Sequence, residues 1–272
     1  LFYRCGSGTP GRPNTFLSMR IGHTRSAKHF YERVATSISG TIFPNTMPSQ
    51  NICRAIWLGE IDYIDARNLQ LSLVEKVHSG QEPNTMLMLE HPHVYTKGRL
   101  SKASDVLLPE EELEDKGIHV YETDRGGQVT YHGPGQLVVY PIVNLKAWGG
   151  PVKYVRSLEQ VIIATLAKTG ITAHCESGNT GVWTDEGKIA AIGVKISRGI
   201  AFHGLALNVN TDLAFYQNII PCGIADRPVT SMAAILGQPV DMELVRDGLV
   251  YQFGREFGWR MDGGLPEPVT GL

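Results

Sequence analysis

Arg125-Gly126-Gly127-Gln128-Val129-Thr130-Tyr131-His132-Gly133-Pro134-Gly135-Gln136 runs straight into Leu137-Val138-Val139-Tyr140-Pro141-Ile142-Val143. The second segment is apolar, rich in β-branched residues and of ordinary strand length, so it reads as a buried strand. The first packs four glycines, a proline, an arginine and a histidine into twelve residues. Glycine tolerates positive φ and lets backbone approach a ligand closely. Successive N–H groups in such a loop form a concave site for an anion or a carbonyl oxygen. Arg125 adds a fixed positive charge, and His132 adds a group that titrates near neutral pH. A glycine-rich loop with this much polar chemistry, feeding a core strand, reads as a binding loop rather than a plain turn.

Upstream of that loop, Ile52–Leu58 reads as a strand. Residues 61–79 read as a helix, with Tyr63, Ala66, Leu69, Leu73 and Val77 on one face and Gly80 as the stop. Thr85–Leu89 is a short strand, and residues 90–99 read as a polar loop. His91 and His93 in that loop flank Pro92 with no third ligand nearby, so no metal site is expected. Residues 101–117 form an acidic, solvated segment with a helix start at Pro109. Val120–Thr123 is a strand leading into the glycine-rich loop.

Downstream, Pro151 opens a helix whose buried face is expected at Val152, Val155, Leu158, Ile162 and Leu166, with Gly170 at its end. Ile171–Cys175 and Gly181–Thr184 read as strands. Asp185-Glu186-Gly187 makes a tight turn, and Lys188–Ile196 returns as a hairpin partner. Ile200–Val209 is a further strand, interrupted at His203-Gly204. Asp212–Tyr216 reads as a helical turn and 219–224 as a loop. A last helix spans Asp241–Phe257, with Asp241 as N-cap, Val245, Leu249 and Phe253 inward, and Gly258 as the stop. Strands and helices mix without regular βαβ alternation. The expected fold class is therefore α/β in the α+β sense: a mixed, largely antiparallel sheet flanked by helices, in one domain over residues 51–260.

The two ends read differently. Residues 1–50 carry six basic residues against Glu32 alone and show no apolar periodicity, so they are expected to be disordered. Their Arg-rich, Ser-rich, acid-poor profile fits an organelle transit peptide, which would mean a mitochondrial or plastid location. The competing reading is a non-native upstream region with the start at Met19 or Met47, and a cytoplasmic protein. Residues 261–272 read as a C-terminal tail, loose after Gly263. The net charge of −2 gives no basic character that points to nucleic acid, and no apolar run is long enough to span a bilayer. Cys5, Cys53, Cys175 and Cys222 fit no metal or disulfide spacing; Cys53 and Cys175 sit in apolar settings as small hydrophobes.

Cys222 stands apart. Pro221 fixes φ on one side of it and Gly223 relaxes backbone on the other, which presents a thiol at a rigid bend. A thiol is a good nucleophile only as thiolate, so it needs a cation or base. His132, His203, Lys188 and Lys195 are the candidates. Lys188 opens a strand just after a turn, at a rim. Lys195 lies seven positions on, so in a regular strand it faces the other side of the sheet, and at most one of the two lysines is expected in a shared site.

These motifs resemble the lipoyl(octanoyl) transferases. The likeness is carried by Arg125–Gln136, by Glu90-His91-Pro92 and Gly98-Arg99, by Gly187–Lys195, by Phe202–Val209 and by Pro221-Cys222-Gly223-Ile224, in the family's order over roughly residues 52–258. His93 departs from it, standing where a second proline is common. The resemblance implies a catalytic domain of the biotin and lipoate protein ligase fold. It implies transfer of an octanoyl or lipoyl group from acyl carrier protein to a lysine of lipoate-dependent enzymes, with no cofactor and no ATP. The acceptors it implies are the lipoyl domains of 2-oxo acid dehydrogenases and the glycine cleavage H protein, served by a monomer. By resemblance Cys222 carries the acyl thioester and Lys188 lowers its pKa and shuttles protons. The same resemblance implies that Arg125, Gly126, Gly127, Gln128, Val129, Thr130, Tyr131, His132, Ala191, Ile192, Gly193, Gly204, Leu205 and Ala206 line the acyl site. The alternative is an ATP-dependent lipoate–protein ligase of the same fold; the glycine-rich segment and Cys222 speak against it.

Overall fold

A computed structural model describes residues 52–146, 148–220 and 227–263. The expectations for residues 1–50, for the tail beyond Gly263 and for Pro221-Cys222-Gly223-Ile224 lie outside the described residues.

An eight-stranded mixed sheet forms the centre of the fold, in the order β11-β1-β2-β6-β10-β9-β8-β7. Its strands are β1 (Ile52–Glu60), β2 (Asn84–Glu90), β6 (Gln136–Asn144), β7 (His174–Glu176), β8 (Asn179–Thr184), β9 (Gly187–Ser197), β10 (Ile200–Asn208) and β11 (Arg260–Asp262). Only the β11–β1 and β1–β2 pairs are parallel; β2–β6, β6–β10, β10–β9, β9–β8 and β8–β7 are antiparallel. A second, three-stranded sheet has the order β4 (His119–Glu122), β3 (Val94–Lys97), β5 (Thr130–His132).

The large sheet divides its side chains by alternation. Met86, Met88, Leu137, Val139 and Val143 pack into one core with helices α3 (Pro151–Ala167) and α5 (Met242–Phe257). Leu87, Leu89, Val138, Tyr140 and Ile142, also buried, take the opposite face, where helix α1 (Tyr63–His78) packs on β6 and β10. β6 is buried on both faces, which is why it reads as a continuous apolar run. Each fully buried Val, Leu or Phe contributes roughly 1.5–3 kcal/mol, so Val245, Leu249 and Phe253 are major contributors to the seating of α5.

Helix ends follow the sequence. The Asp62 side chain accepts from the Ile64 N–H at 2.8 Å, and Asp241 accepts from Glu243 N–H at 2.8 Å. Gly258 closes α5 with φ of 65°. Helix α2 (Glu110–Asp115) follows Pro109 as read, and Leu113 anchors it in a small core with Tyr95, Ile118, Val129, Tyr131 and Ile219. A short helix α4 (Met232–Leu236) adds a further turn, with Ser231 as its cap.

Four readings are corrected. Residues 90–99 are not all loop: Val94–Lys97 is a strand between β4 and β5, hidden because its polar Thr96 is buried and paired. On α3, Val152 is 76 % exposed and Val155 only half-buried; Tyr154, Leu158, Val161, Ile162 and Leu166 make the inner stripe. The phase of that helix is set by packing against α5 and β8–β9, not by its first apolar residue. The strand expected at Ile171–Cys175 begins only at His174, and Ile171 enters the core from an irregular segment. Finally, β10 runs through His203-Gly204 without a break along β9. What lapses there is its pairing with β6, at the point opposite Pro141, which has no N–H to give. Among the described residues no helix is long and apolar enough to cross a membrane.

Candidate active site

The glycine-rich loop is zipped onto the start of the Gly98–Leu100 segment. Gly98, Arg99 and Leu100 donate their N–H groups to the carbonyls of Gln128, Arg125 and Gly127 at 3.3, 3.1 and 3.1 Å. A side chain on Gly98 would meet the Gly127 carbonyl at 2.3 Å, so that contact requires glycine. Gly126 donates its N–H to the Val194 carbonyl at 3.0 Å, which docks the loop on β9. That N–H is therefore committed to the fold, contrary to the expectation of an open row of loop N–H groups.

Arg125 is buried and acts as a clasp. Its Nη2 donates to the Thr96 carbonyl at 2.6 Å and to Thr96 Oγ1 at 2.9 Å, and its Nη1 to the Gly126 carbonyl at 2.9 Å. Thr96 Oγ1 continues the chain to His132 Nε2 at 3.2 Å, and His132 Nδ1 meets Gln136 Oε1 at 2.8 Å. Gln136 Nε2 donates to the Tyr131 carbonyl at 3.1 Å and to Asn208 Oδ1 at 2.9 Å. Those acceptors orient the amide, so His132 carries its proton on Nδ1 and accepts at Nε2. Burial, followed by the nearby His91, holds the His132 pKa down at about 3. His132 is a neutral, saturated imidazole, which removes it as the base for a thiol.

His91, in the Glu90-His91-Pro92 motif, is likewise neutral, pushed down to about 4 by burial. Its Nδ1 donates to the Ile61 carbonyl at 2.7 Å and its Nε2 accepts from Tyr140 Oη at 2.9 Å. Glu90 of the same motif accepts the Gly135 N–H at 2.6 Å. His203 sits at φ 55° in the left-handed region, where its backbone N–H reaches Gln70 Oε1 at 2.9 Å. Its Nε2 donates to Asp124 at 2.8 Å, while burial lowers its pKa. Lys195 also binds Asp124, at 2.7 Å. Burial works against the Asp124 charge, but the hydrogen bonds from Lys195 and His203 prevail and hold its carboxyl at about 2.

The two lysines correct the strand argument. Val182 pairs with Ala190, but Trp183 pairs with Lys188, so Ile189 is an extra residue and β9 bulges there. A bulge breaks side-chain alternation. Ile189 and Ala190 both enter the helix-side core, and Lys188 lies on the same face as Lys195 despite the odd spacing. Lys195 stays out of the cavity because Asp124 holds it, not because of strand parity. Lys188 is 7 % exposed, with Nζ 5.3 Å from the centre of the Trp183 ring. The Arg227 guanidinium lies 4.9 Å from the same ring and pairs with Glu176. The Lys188 backbone is bracketed by Pro228 and Thr230, with hydrogen bonds of 2.9 Å each.

Between the two sheets lies a cavity of about 200 Å³. Of the residues singled out in the sequence, Arg125, Gly127, Gln128, Val129, Thr130, His132, Lys188, Ala191, Ile192, Gly193, His203, Gly204, Leu205 and Ala206 line it. Gly126 and Tyr131 do not. Gly126 is spent on Val194, and Tyr131 packs in the small core with its hydroxyl 2.7 Å from His93 Nδ1. Cys222 lies outside the described residues. Gly204 is demanded by proximity: a Cβ there would meet the Val139 carbonyl at 2.1 Å. Among the described residues no cluster of three or more His, Cys, Asp or Glu side chains is arranged to hold a metal ion.

Residues 62–254 match the family model described as the lipoyl protein ligase A/B catalytic domain. The octanoyltransferase of Acidobacterium capsulatum is 46 % identical over 241 residues, covering 80 % of this chain and 98 % of that protein. The octanoyltransferase of Solibacter usitatus is 48 % identical over 205 residues, covering 75 % and 92 %. This chain belongs to the lipoyl(octanoyl) transferase family. The transferase is accordingly an acyltransferase, and its fold recurs at low identity among solved lipoate ligases. A lipoate-protein ligase A bound with ATP superposes with a TM-score of 0.61 at 16 % identity, covering 80 % of this chain and 90 % of the other. A bi-partite lipoate protein ligase from Thermoplasma acidophilum does so with a TM-score of 0.60 at 17 % identity, covering 80 % and 88 %.

Sequence reasoning missed several residues that line the transferase cavity: Tyr63, Thr96, Tyr140, Gly178, Asn179, Thr180 and Trp183. Tyr63 reads as an inner-face helix residue and Tyr140 as a strand residue, and both are. Nothing in a 3.6- or 2-residue period distinguishes a side chain that touches a cavity from one that touches core.

Proposed function

We propose that the chain transfers an octanoyl group from the thioester of an acyl carrier protein to a lysine of a lipoyl domain, through a thioester on Cys222. Lys188 takes the Cys222 proton, and the thiolate attacks the carbonyl carbon of the incoming thioester. The bond to the carrier sulfur breaks, and that sulfur leaves with the proton returned by Lys188. In the second half the acceptor lysine amine attacks the enzyme thioester, the Cys222 sulfur departs, and the amine proton passes through Lys188 to restore the thiol. The first half exchanges one thioester for another and is nearly isoenergetic, and the second converts the thioester to a more stable amide, so no ATP enters.

The observation that carries this reading is the position of Lys188. It lies at one end of a cavity with Ala, Ile, Leu and Gly walls, and its backbone is hydrogen-bonded to Pro228 and Thr230, which follow shortly after Cys222 in the chain. Of the other basic candidates, His132 is neutral and saturated, and His203 and Lys195 are committed to Asp124. The acceptor class is supported by the octanoyltransferase and lipoate ligase relatives. The reaction belongs to residues 51–260, acting as a monomer in the cytoplasm, with 1–50 as a dispensable extension.

Intact chain incubated with octanoyl-acyl carrier protein should gain one octanoyl mass that hydroxylamine removes, and Cys222→Ala should gain none. Passing the group to an apo lipoyl domain should need no nucleotide. A strict ATP requirement would replace this reading with that of a lipoate–protein ligase.

A further inference from the structure

We propose that Tyr63 is the end-stop of the acyl cavity and sets the chain length it accepts, an inference that rests on the acyl-transfer reading above. The register of β9 and β10 gives the cavity a direction. Lys188 and Trp183 mark one end. Ala191, Ile192 and Gly193 follow along β9, paired with Ala206, Leu205 and Gly204 of β10. At about 3.3 Å per residue this wall runs for roughly 15 Å. Past Gly193 and Gly204 the lining changes from aliphatic side chains and glycine to the rings of His203, Tyr140 and Tyr63. A chain attached near Lys188 therefore meets Tyr63 last.

The Tyr63 ring is locked. It is the first residue of α1, whose start is fixed by the Asp62 cap. It stacks on Tyr121 with centroids 5.1 Å apart and 18° between planes, and it stands edge-on to His91 at 5.5 Å. His91 is pinned in turn by the Ile61 carbonyl and the Tyr140 hydroxyl. The ring cannot swing aside to lengthen the cavity without unstacking Tyr121.

Tyr63 is 3 % exposed and its hydroxyl is buried away from the cavity. What Tyr63 offers an incoming chain is therefore the locked ring, and a chain that reaches it finds no further room.

The test is the initial rate of covalent acylation, read by intact mass, for full-length wild type, Tyr63→Leu, Tyr63→Phe and Tyr63→Trp. The probes are acyl carrier proteins loaded with saturated chains of six to fourteen carbons. Each further methylene that gains a buried place is worth about four-fold. Tyr63→Leu should therefore move the optimum to longer chains and raise the twelve-to-eight-carbon rate ratio by roughly ten-fold or more. Tyr63→Trp should move the optimum to shorter chains, and Tyr63→Phe, which keeps the ring, should keep the wild-type optimum. Tryptophan and phenylalanine variants retain the aromatic stack and so remain informative if the leucine variant does not fold. Acylated wild type whose chain-length ranking is unchanged in the leucine and tryptophan variants overturns the end-stop alone. Wild type that accepts no acyl group from any carrier overturns the acyl-transfer reading, and the end-stop with it.

Discussion

Acidification should destabilise this fold through two histidines well before the carboxylates titrate. His132 and His91 are buried and neutral, with pKa values held at about 3 and about 4, against the ordinary 6.5. Burial is the leading cause for both, and each ring already has both nitrogens engaged, so an added proton would also break a hydrogen bond. Between pH 6.5 and about 4 the unfolded chain binds a proton at each site that the folded chain refuses. Stability therefore rises with pH across that window: it is complete above pH 6.5 and is lost as pH falls through the folded values. Each histidine contributes a slope of about 1.4 kcal/mol per pH unit. Going from pH 7.5 to pH 5 thus costs about 2 kcal/mol per site, or about 4 kcal/mol for the pair. That is a large part of the 5–15 kcal/mol typical of a whole domain. Urea midpoints at pH 7.5, 6.5, 5.5 and 5.0 measure it. His132→Gln, whose amide can accept from Thr96 and donate to Gln136, should recover about half of the loss at pH 5 while leaving the pH 7.5 midpoint little changed. A wild-type midpoint that is flat from pH 7.5 to 5, or a His132→Gln variant with the full wild-type slope, would refute the assignment of these rings as buried neutral groups.

Two further outcomes follow from the site. Alkylation of Cys222 by iodoacetamide against pH should show a higher apparent thiol pKa in Lys188→Ala, with acylation partly restored at high pH, and an almost unchanged pKa in Lys195→Ala, whose charge is spent on Asp124; a shift in the second variant and none in the first would reverse the roles. Gly204→Ala should destabilise by roughly 1–3 kcal/mol or more, because its methyl would meet the Val139 carbonyl, a backbone atom with no room to yield; thermal melts read this, and a neutral result would mean that β6 and β10 part more easily than their contact suggests.

Local signals in the sequence carried most of the architecture. Asp241, Gly80 and Gly258 announce helix ends because caps act on the nearest backbone groups. The run after Gln136 announces a strand buried on both faces because every position in it is apolar. The turn at Asp185-Glu186-Gly187 announces the β8–β9 hairpin. Arg125, His132, Lys188, Gly193 and Gly204, far apart in the chain, border one cavity, a meeting that their spacing cannot explain. Tertiary structure alone decided the rest. The bulge at Ile189 turns Lys188 onto the face of Lys195, since an extra residue in one strand is defined only by its partner across the ladder. Val94–Lys97 became a strand because Thr96 found Arg125 and His132, partners distant in sequence, and a paired polar residue is no longer costly to bury. His203 took a left-handed backbone that nothing in its neighbours requires, held by Gln70 from a different element. Tyr63 reads from its period as core, and it is core on one edge; only the meeting of α1 with the second sheet gives its other edge a cavity to close. Periodicity records which way a side chain points, and what it meets there depends on the arrival of another part of the chain.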